Sequence, residues 1–213
     1  MSTEPTPQPQ APEVTPFGPI VEPNTANVFA GPTVLYLAPA HTAPPSLATI
    51  PPTSTDWTTA GFAAVGYTSD GVEFSTTPAV KPIVPDEVIS PVLQIITDLK
   101  FEVKAKLLER HLENLARATA MATLTNPGTG VKTLNVGSGN PLAEYVLGFQ
   151  GPAPGGPTDR VIIVWRVQVI SAVSQHYMRK DAPTLDCTFS ALADSTKPST
   201  QDVYQITDFA AGS

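Results

Sequence analysis

The chain has 213 residues, enough for one domain with its own core, and a net charge of −7. Only 15% of its residues are charged, against about 25% in average soluble domains, which suits a subunit that hides much of itself against neighbours. The acidic balance excludes a protein that grips nucleic acid through a basic face, though not a surface that DNA slides past.

No Lys or Arg precedes Lys81, so the first 80 residues carry six uncompensated carboxylates: Glu4, Glu13, Glu22, Asp56, Asp70 and Glu73. The opening Met-Ser-Thr-Glu-Pro-Thr-Pro has neither a basic region nor an apolar core, so no signal peptide is expected, and synthesis in a cytoplasm is. Of 24 prolines, 13 fall within residues 1–52. Residues 1–26 therefore read as an extended arm that cannot form a helix. On its own it is either a solvating tail or an arm that orders on a neighbouring subunit. Val14, Phe17, Ile20 and Val21 favour the arm, because a purely solvating tail needs no Phe.

A single folded unit is expected over residues 27–213. Val34–Leu37 reads as a short strand, and residues 39–61 as a long loop built on Pro39, Pro44, Pro45, Pro51 and Pro52. Loops of that length are uncommon unless they serve a function. Phe62–Ser75 reads as two short strands around a turn at Ser69-Asp70-Gly71. In Lys100–Leu108, Phe101, Val103, Ala105 and Leu107 alternate with Lys100, Glu102, Lys104 and Lys106, the period-two pattern of a half-buried strand. Val88–Thr97 is expected to precede it as an antiparallel partner, with Pro91 marking an edge or bulge.

Leu108, Leu112, Leu115 and Thr119, with Ala116, Ala118, Ala120 and Ala122, predict one helix over about residues 109–123. Residues 124–140 are turn-rich. Ala143–Phe149, Arg160–Ala172, Thr184–Leu192 and Val203–Ile206 complete the strands, with Val161, Ile163, Trp165, Val167 and Val169 expected on one face. The fold class is mainly β (α+β), with one helix lying closely against a sheet.

Catalytic patterns fail. Gly128-Thr-Gly-Val-Lys132-Thr133 lacks the Gly that must precede Lys in a phosphate loop. His41, His111 and His176 are scattered, without a second ligand at metal spacing. Cys187, the only cysteine, falls between Leu185 and Phe189 on one strand face and reads as a small core residue. Asp86-Glu87 would point to opposite faces if extended. No enzyme activity, cofactor or metal is expected, and the longest apolar run, Val161–Trp165, is far short of a membrane span.

Three stretches, in order, resemble the major tail tube proteins of long-tailed, siphovirus-type bacteriophages, especially those of actinobacterial hosts. The first is Gly31-Pro-Thr-Val-Leu-Tyr-Leu-Ala-Pro39 with its proline loop, then Trp57, Gly61-Phe62 and Val65–Val72. The second runs from Leu99-Lys-Phe-Glu-Val-Lys through Glu109, Asn114 and Leu115. The third is Arg160-Val-Ile-Ile-Val-Trp-Arg-Val, Lys180-Asp181 and Leu185–Leu192. The arm before residue 24 departs from the pattern.

The resemblance implies a tail-tube-type β-sandwich whose copies close into homohexameric rings. The rings would stack into a tube around the tape measure protein, through which phage DNA later passes without specific binding. Partners would be further copies of the chain, the tail terminator, distal tail and baseplate proteins, and tail assembly chaperones. The chain would be made in the host bacterial cytoplasm and end in the virion tail. Assembly contacts are expected at Val14, Phe17, Ile20, Val21, Pro44, Pro45 and Trp57, and the lumen at Asp70, Glu73 and Glu102. Lys100, Lys104 and Lys106 would make that lumen basic unless they pair with acids such as Glu102 or face the ring interface. The alternatives are another ring-forming virion component (tail terminator, baseplate hub or head decoration protein), or a carbohydrate-binding β-sandwich using Trp57 as its platform.

Overall fold

The computed structural model describes residues 31–48, 50–86, 89–153, 159–171, 173 and 184–209. The arm with Val14, Phe17, Ile20 and Val21, together with His176 and Lys180-Asp181, lies outside the described residues.

The architecture is mainly β and antiparallel, as expected of a β-sandwich. Strand β1 (Val34–Pro39) leads through helix α1 (Ser54–Thr59) to the two-residue β2 (Ala63–Ala64). Two long strands follow, β3 (Thr68–Ile83) and β4 (Leu93–Leu107). Helix α2 (Leu112–Ala118) precedes a ribbon of β5 (Ala122–Gly128) and β6 (Val131–Val136). The remaining strands are β7 (Glu144–Pro152), β8 (Asp159–Val169), β9 (Leu185–Ala191) and β10 (Tyr204–Asp208). The main sheet runs β2-β1-β7-β8-β9-β4-β3, and β10 pairs with β8 off this path.

Two apolar layers flank β8. Leu35, Leu37, Phe101, Val103, Leu107, Leu147, Leu185 and Phe189 fill the first, and the sheet curls so that Phe74 of β3 meets Phe149 of β7 edge-on at 5.2 Å. The second holds Tyr36, Trp57, Phe62, Val146, Ile163, Trp165 and Phe209. Single-face alternation along β8 is therefore not observed. Ile162, Val164, Val167 and Val169 serve the first layer, while Val161, Ile163 and Trp165 serve the second. The register against β7 slips between Tyr145 and Leu147. An extra residue in a ladder reverses side-chain parity beyond it, so Val167 and Val169 return to the layer that Ile162 and Val164 occupy.

Other local expectations are corrected by tertiary pairing. Ser69-Asp70-Gly71 does not turn the chain back. Asp70 and Gly71 take φ of 64° and 77° within β3, at a register shift between Ser69 and Val72. The left-handed chemistry that suits a turn here builds a bulge. The partners of Lys100–Leu107 are β3 and, from Glu102 on, β9, and β4 itself reaches back continuously to Leu93. The helix is shorter than 109–123: it ends at Ala118, Thr119 is extended, and Met121 at φ 60° directs the chain into β5. β-branched Thr123 and Thr125 favour that strand, and Leu124 pairs with Leu134. Residues 39–61 contain α1, whose Thr53 side chain caps the Asp56 N–H while the Asp56 carboxylate accepts from the Thr53 N–H.

One buried polar side chain ties α2 to the sheet. Asn114 Nδ2 donates to the Val65 carbonyl at 2.7 Å and to the Glu109 carbonyl at 3.1 Å, and Arg117 Nη1 donates to Asn114 Oδ1. Asn114→Ala leaves the buried Val65 carbonyl without this donor. It is expected to lower stability by about 1–3 kcal/mol, read as a lower denaturant midpoint in equilibrium unfolding.

Candidate functional site

Among the described residues no three His, Cys, Asp or Glu side chains come together as a metal site. Cys187 is buried, and burial pushes its thiol up to about 12, so little nucleophilic thiolate forms near neutral pH. The surfaces that stand out are instead suited to contact.

The first is the outward face of β3, β4 and β9. Period-two alternation buries Phe101, Val103, Ala105 and Leu107 and turns Lys100, Glu102, Lys104 and Lys106 outward. The three lumen candidates converge here, each beside a lysine. Lys100 meets Glu102 at 2.7 Å, Lys104 meets Glu73 at 3.5 Å, and Lys106 meets Asp70 at 3.0 Å. The first two pairs link neighbouring positions or facing strands at matched register, with Glu73 opposite Lys104. The hydrogen bond from Lys100 holds the Glu102 carboxyl below its ordinary range, and the bond to Asp70 raises the Lys106 ammonium. All three lysines are thus paired with acids, and this face alternates in sign.

The second is the distal half of the β3–β4 hairpin. Proximally its inner face joins the core through Phe74 and Phe101. Further out the same face continues as Pro78 opposite Leu99 and Val80 opposite Ile96, past the end of the core. Leu99 is 50% exposed, Val80 50% and Ile96 64%, and Ile83, Leu93 and Ile95 are exposed near the tip. Sequence reasoning missed this projection because it split the hairpin at residue 97. The signal was available: no Gly or Pro separates Leu93 from Lys100, so nothing in the sequence turns the chain at residue 97.

The third feature is the sheet edge. β3 ends the strand path, so one side of its 16 residues has no strand beside it among the described residues.

The assembly candidates in the proline loop divide. Pro44 and Pro45 are partly exposed. Trp57 is 0% exposed, which removes it from any contact surface and from a glycan platform. It stacks on Tyr36 at 4.6 Å, meets Phe62 edge-on at 5.1 Å, and donates Nε1–H to Gln150 Oε1 at 2.7 Å. Gly148 lies under the indole, where any Cβ would overlap the ring. The aromatic that sequence reasoning placed outside is held inside by α1.

A family described as phage tail tube protein matches residues 22–206. No curated protein matches the chain.

Proposed function

Because the chain belongs to the phage tail tube protein family, we propose that its subunits close into hexameric rings that stack into the tail tube of a siphovirus-type phage with an actinobacterial host. It is a structural protein of the phage tail, and its proposed work is mechanical, without enzymatic activity. Residues 27–213 act as one folded unit and residues 1–26 as an arm. The tape measure protein fills the growing tube, tail assembly chaperones deliver it, and the tail terminator and distal baseplate proteins close its ends. The chain is made in the host bacterial cytoplasm and ends in the virion.

The observation that carries this reading is the hairpin. An apolar face continuous with the core, yet exposed at Val80, Ile96 and Leu99, is costly in a lone subunit and is covered when copies associate. The open β3 edge supports the same reading, since ring closure removes exposed edges. Contacts that repeat along an axis without closing give a filament. The alternating face of Asp70, Glu73 and Glu102 with their lysines suits the lumen wall. A near-neutral surface gives phosphates little to bind, so genomic DNA passes without stalling.

Negative-stain microscopy of the concentrated protein tests the assembly, with stacked rings or tubes the expected outcome. A species that stays monomeric at high concentration overturns the reading. Single rings that never elongate reassign the chain to another ring-forming tail component.

A further inference from the structure

The tip of the β3–β4 hairpin and a groove beside Gly66 lie at opposite ends of one strand. β3 starts at Thr68 and ends at Ile83, and its 16 residues carry the chain about 50 Å. At the far end the Val92 N–H donates to the Ile83 carbonyl at 3.0 Å and ties the two strands together. There Ile89 is 99% exposed, with Val84 and Val92 about half exposed. They extend the apolar, exposed half of the hairpin to its end, and no element of the same chain covers them among the described residues.

The near end holds a groove of about 570 Å³, lined by Gly31, Pro32, Val34, Gly66, Tyr67 and Glu109 among others. It opens because the chain changes partners there. The Val65 N–H still donates to the Leu35 carbonyl of β1 at 3.0 Å, whereas the Tyr67 carbonyl accepts from the Leu108 N–H, next to β4, at 2.9 Å. Gly66, at φ 83°, makes the crossing. The start of β1 is left on one side of the groove and the start of β3 on the other. The carboxylate of Glu109 fills the space that a Cβ at Gly66 would take. Its Oε1 accepts from the Tyr67 N–H at 3.2 Å, so the acid in the groove is already engaged. Tyr67 itself is 77% exposed. A tyrosine ring held out at the mouth of a groove offers a large contact area at small entropic cost, which is why this residue is enriched at interfaces.

We propose that the groove at Gly66 and Tyr67 receives the hairpin tip of the next copy along the tube. Ile89, Val84 and Val92 enter it, and the Tyr67 ring closes over them. The tip comes from a second copy because the β3–β4 ladder holds a chain's own tip about 50 Å from its own groove. A knob and a socket at opposite ends of one element cannot satisfy each other within a subunit. Between subunits they make a head-to-tail contact, and such contacts repeat into an open filament when they do not close. This docking rests on the tube reading and adds which two surfaces meet.

Cys187 is buried, so introduced thiols can be read separately. Full-length protein carrying both Ile89→Cys and Tyr67→Cys is brought to tube-forming concentration under mild oxidant and run on denaturing, non-reducing gels. Linear multimers extending past the hexamer are expected, because each chain links one neighbour at its tip and another at its groove. They are expected to form about tenfold or more faster than with Ile89→Cys/Thr133→Cys, whose second thiol is exposed on β6, since docking concentrates the paired thiols. Adding Val84→Asp should remove that advantage. Three results overturn the docking. The first is a rate equal to the control, which would leave the groove to the chain's own N-terminal segment. The second is a rate insensitive to Val84→Asp. The third is a ladder that stops at the hexamer, which would place the contact within one ring. Microscopy of the unmodified protein judges the tube separately. Tubes without the multimers sink the docking alone, and absence of both sinks the tube reading as well.

Discussion

Ile96→Asp combined with Leu99→Asp is expected to abolish tube formation while leaving the subunit folded. Both side chains are at least half exposed and lie on the hairpin's core-side face, opposite Val80 and Pro78. Solvated substitutions of this kind usually change subunit stability by no more than about 0.5 kcal/mol each. Association is a different matter. Fully covering an aliphatic side chain stabilises by about 1.5–3 kcal/mol; these two are already about half covered in the subunit, so losing both removes about 1.5–3 kcal/mol per contact. At about 1.4 kcal/mol per tenfold, the association constant falls by about one to two powers of ten, and the cost of burying two carboxylates adds to that. The checks are unfolding midpoint for the subunit and sedimentation with microscopy for assembly. Tubes forming at the wild-type concentration would refute a contact role for the hairpin.

Trp57→Ala is expected to act the other way, on the subunit itself. The indole is enclosed by Tyr36 and Phe62, bonded to Gln150, and seated on Gly148. Truncating such a side chain costs about 3–5 kcal/mol, a large part of the about 5–15 kcal/mol that holds a domain together. It also takes from α1 its one buried residue. Thermal unfolding should show a large fall in midpoint at concentrations too low for association. An unchanged midpoint with impaired assembly would return Trp57 to the contact surface.

The strands were legible where one face is buried and the other wet. Lys100–Leu107 alternates because water lies on one side, and its acids and lysines could be placed on one face from period alone. β8 was legible as a strand but not in its facing, because it is apolar on both sides and a slip at the β7 ladder leaves no mark in composition. Asp70-Gly71 shows the limit of turn chemistry. Positive φ is a local demand, and whether it reverses the chain or kinks a strand depends on the partner at Ala105, more than thirty residues away. The box at Thr53 and Asp56 was readable, but six helical residues are too few to show a period. Trp57 was misplaced because a lone tryptophan in a proline-rich stretch looks exposed until α1 folds it onto Tyr36. The lumen candidates were brought to one face, while their orientation in a tube is a property of many copies and is not encoded in one.

The prolines of β3 have a further effect on how two copies can join. The Ala79 carbonyl accepts from Thr97 Oγ1 and the Ile83 carbonyl from the Val92 N–H, so the odd positions turn toward β4. The even positions then face the open edge. Val72, Phe74, Thr76 and Val80 present donors there, but Pro78 and Pro82 present none. An incoming strand finds an unbroken row of donors only along Val72–Thr76, and interruptions beyond it. The missing hydrogens act as a key. They confine backbone pairing to the root of the hairpin, penalise slipped registers, and leave the outer half to be held by side-chain packing alone.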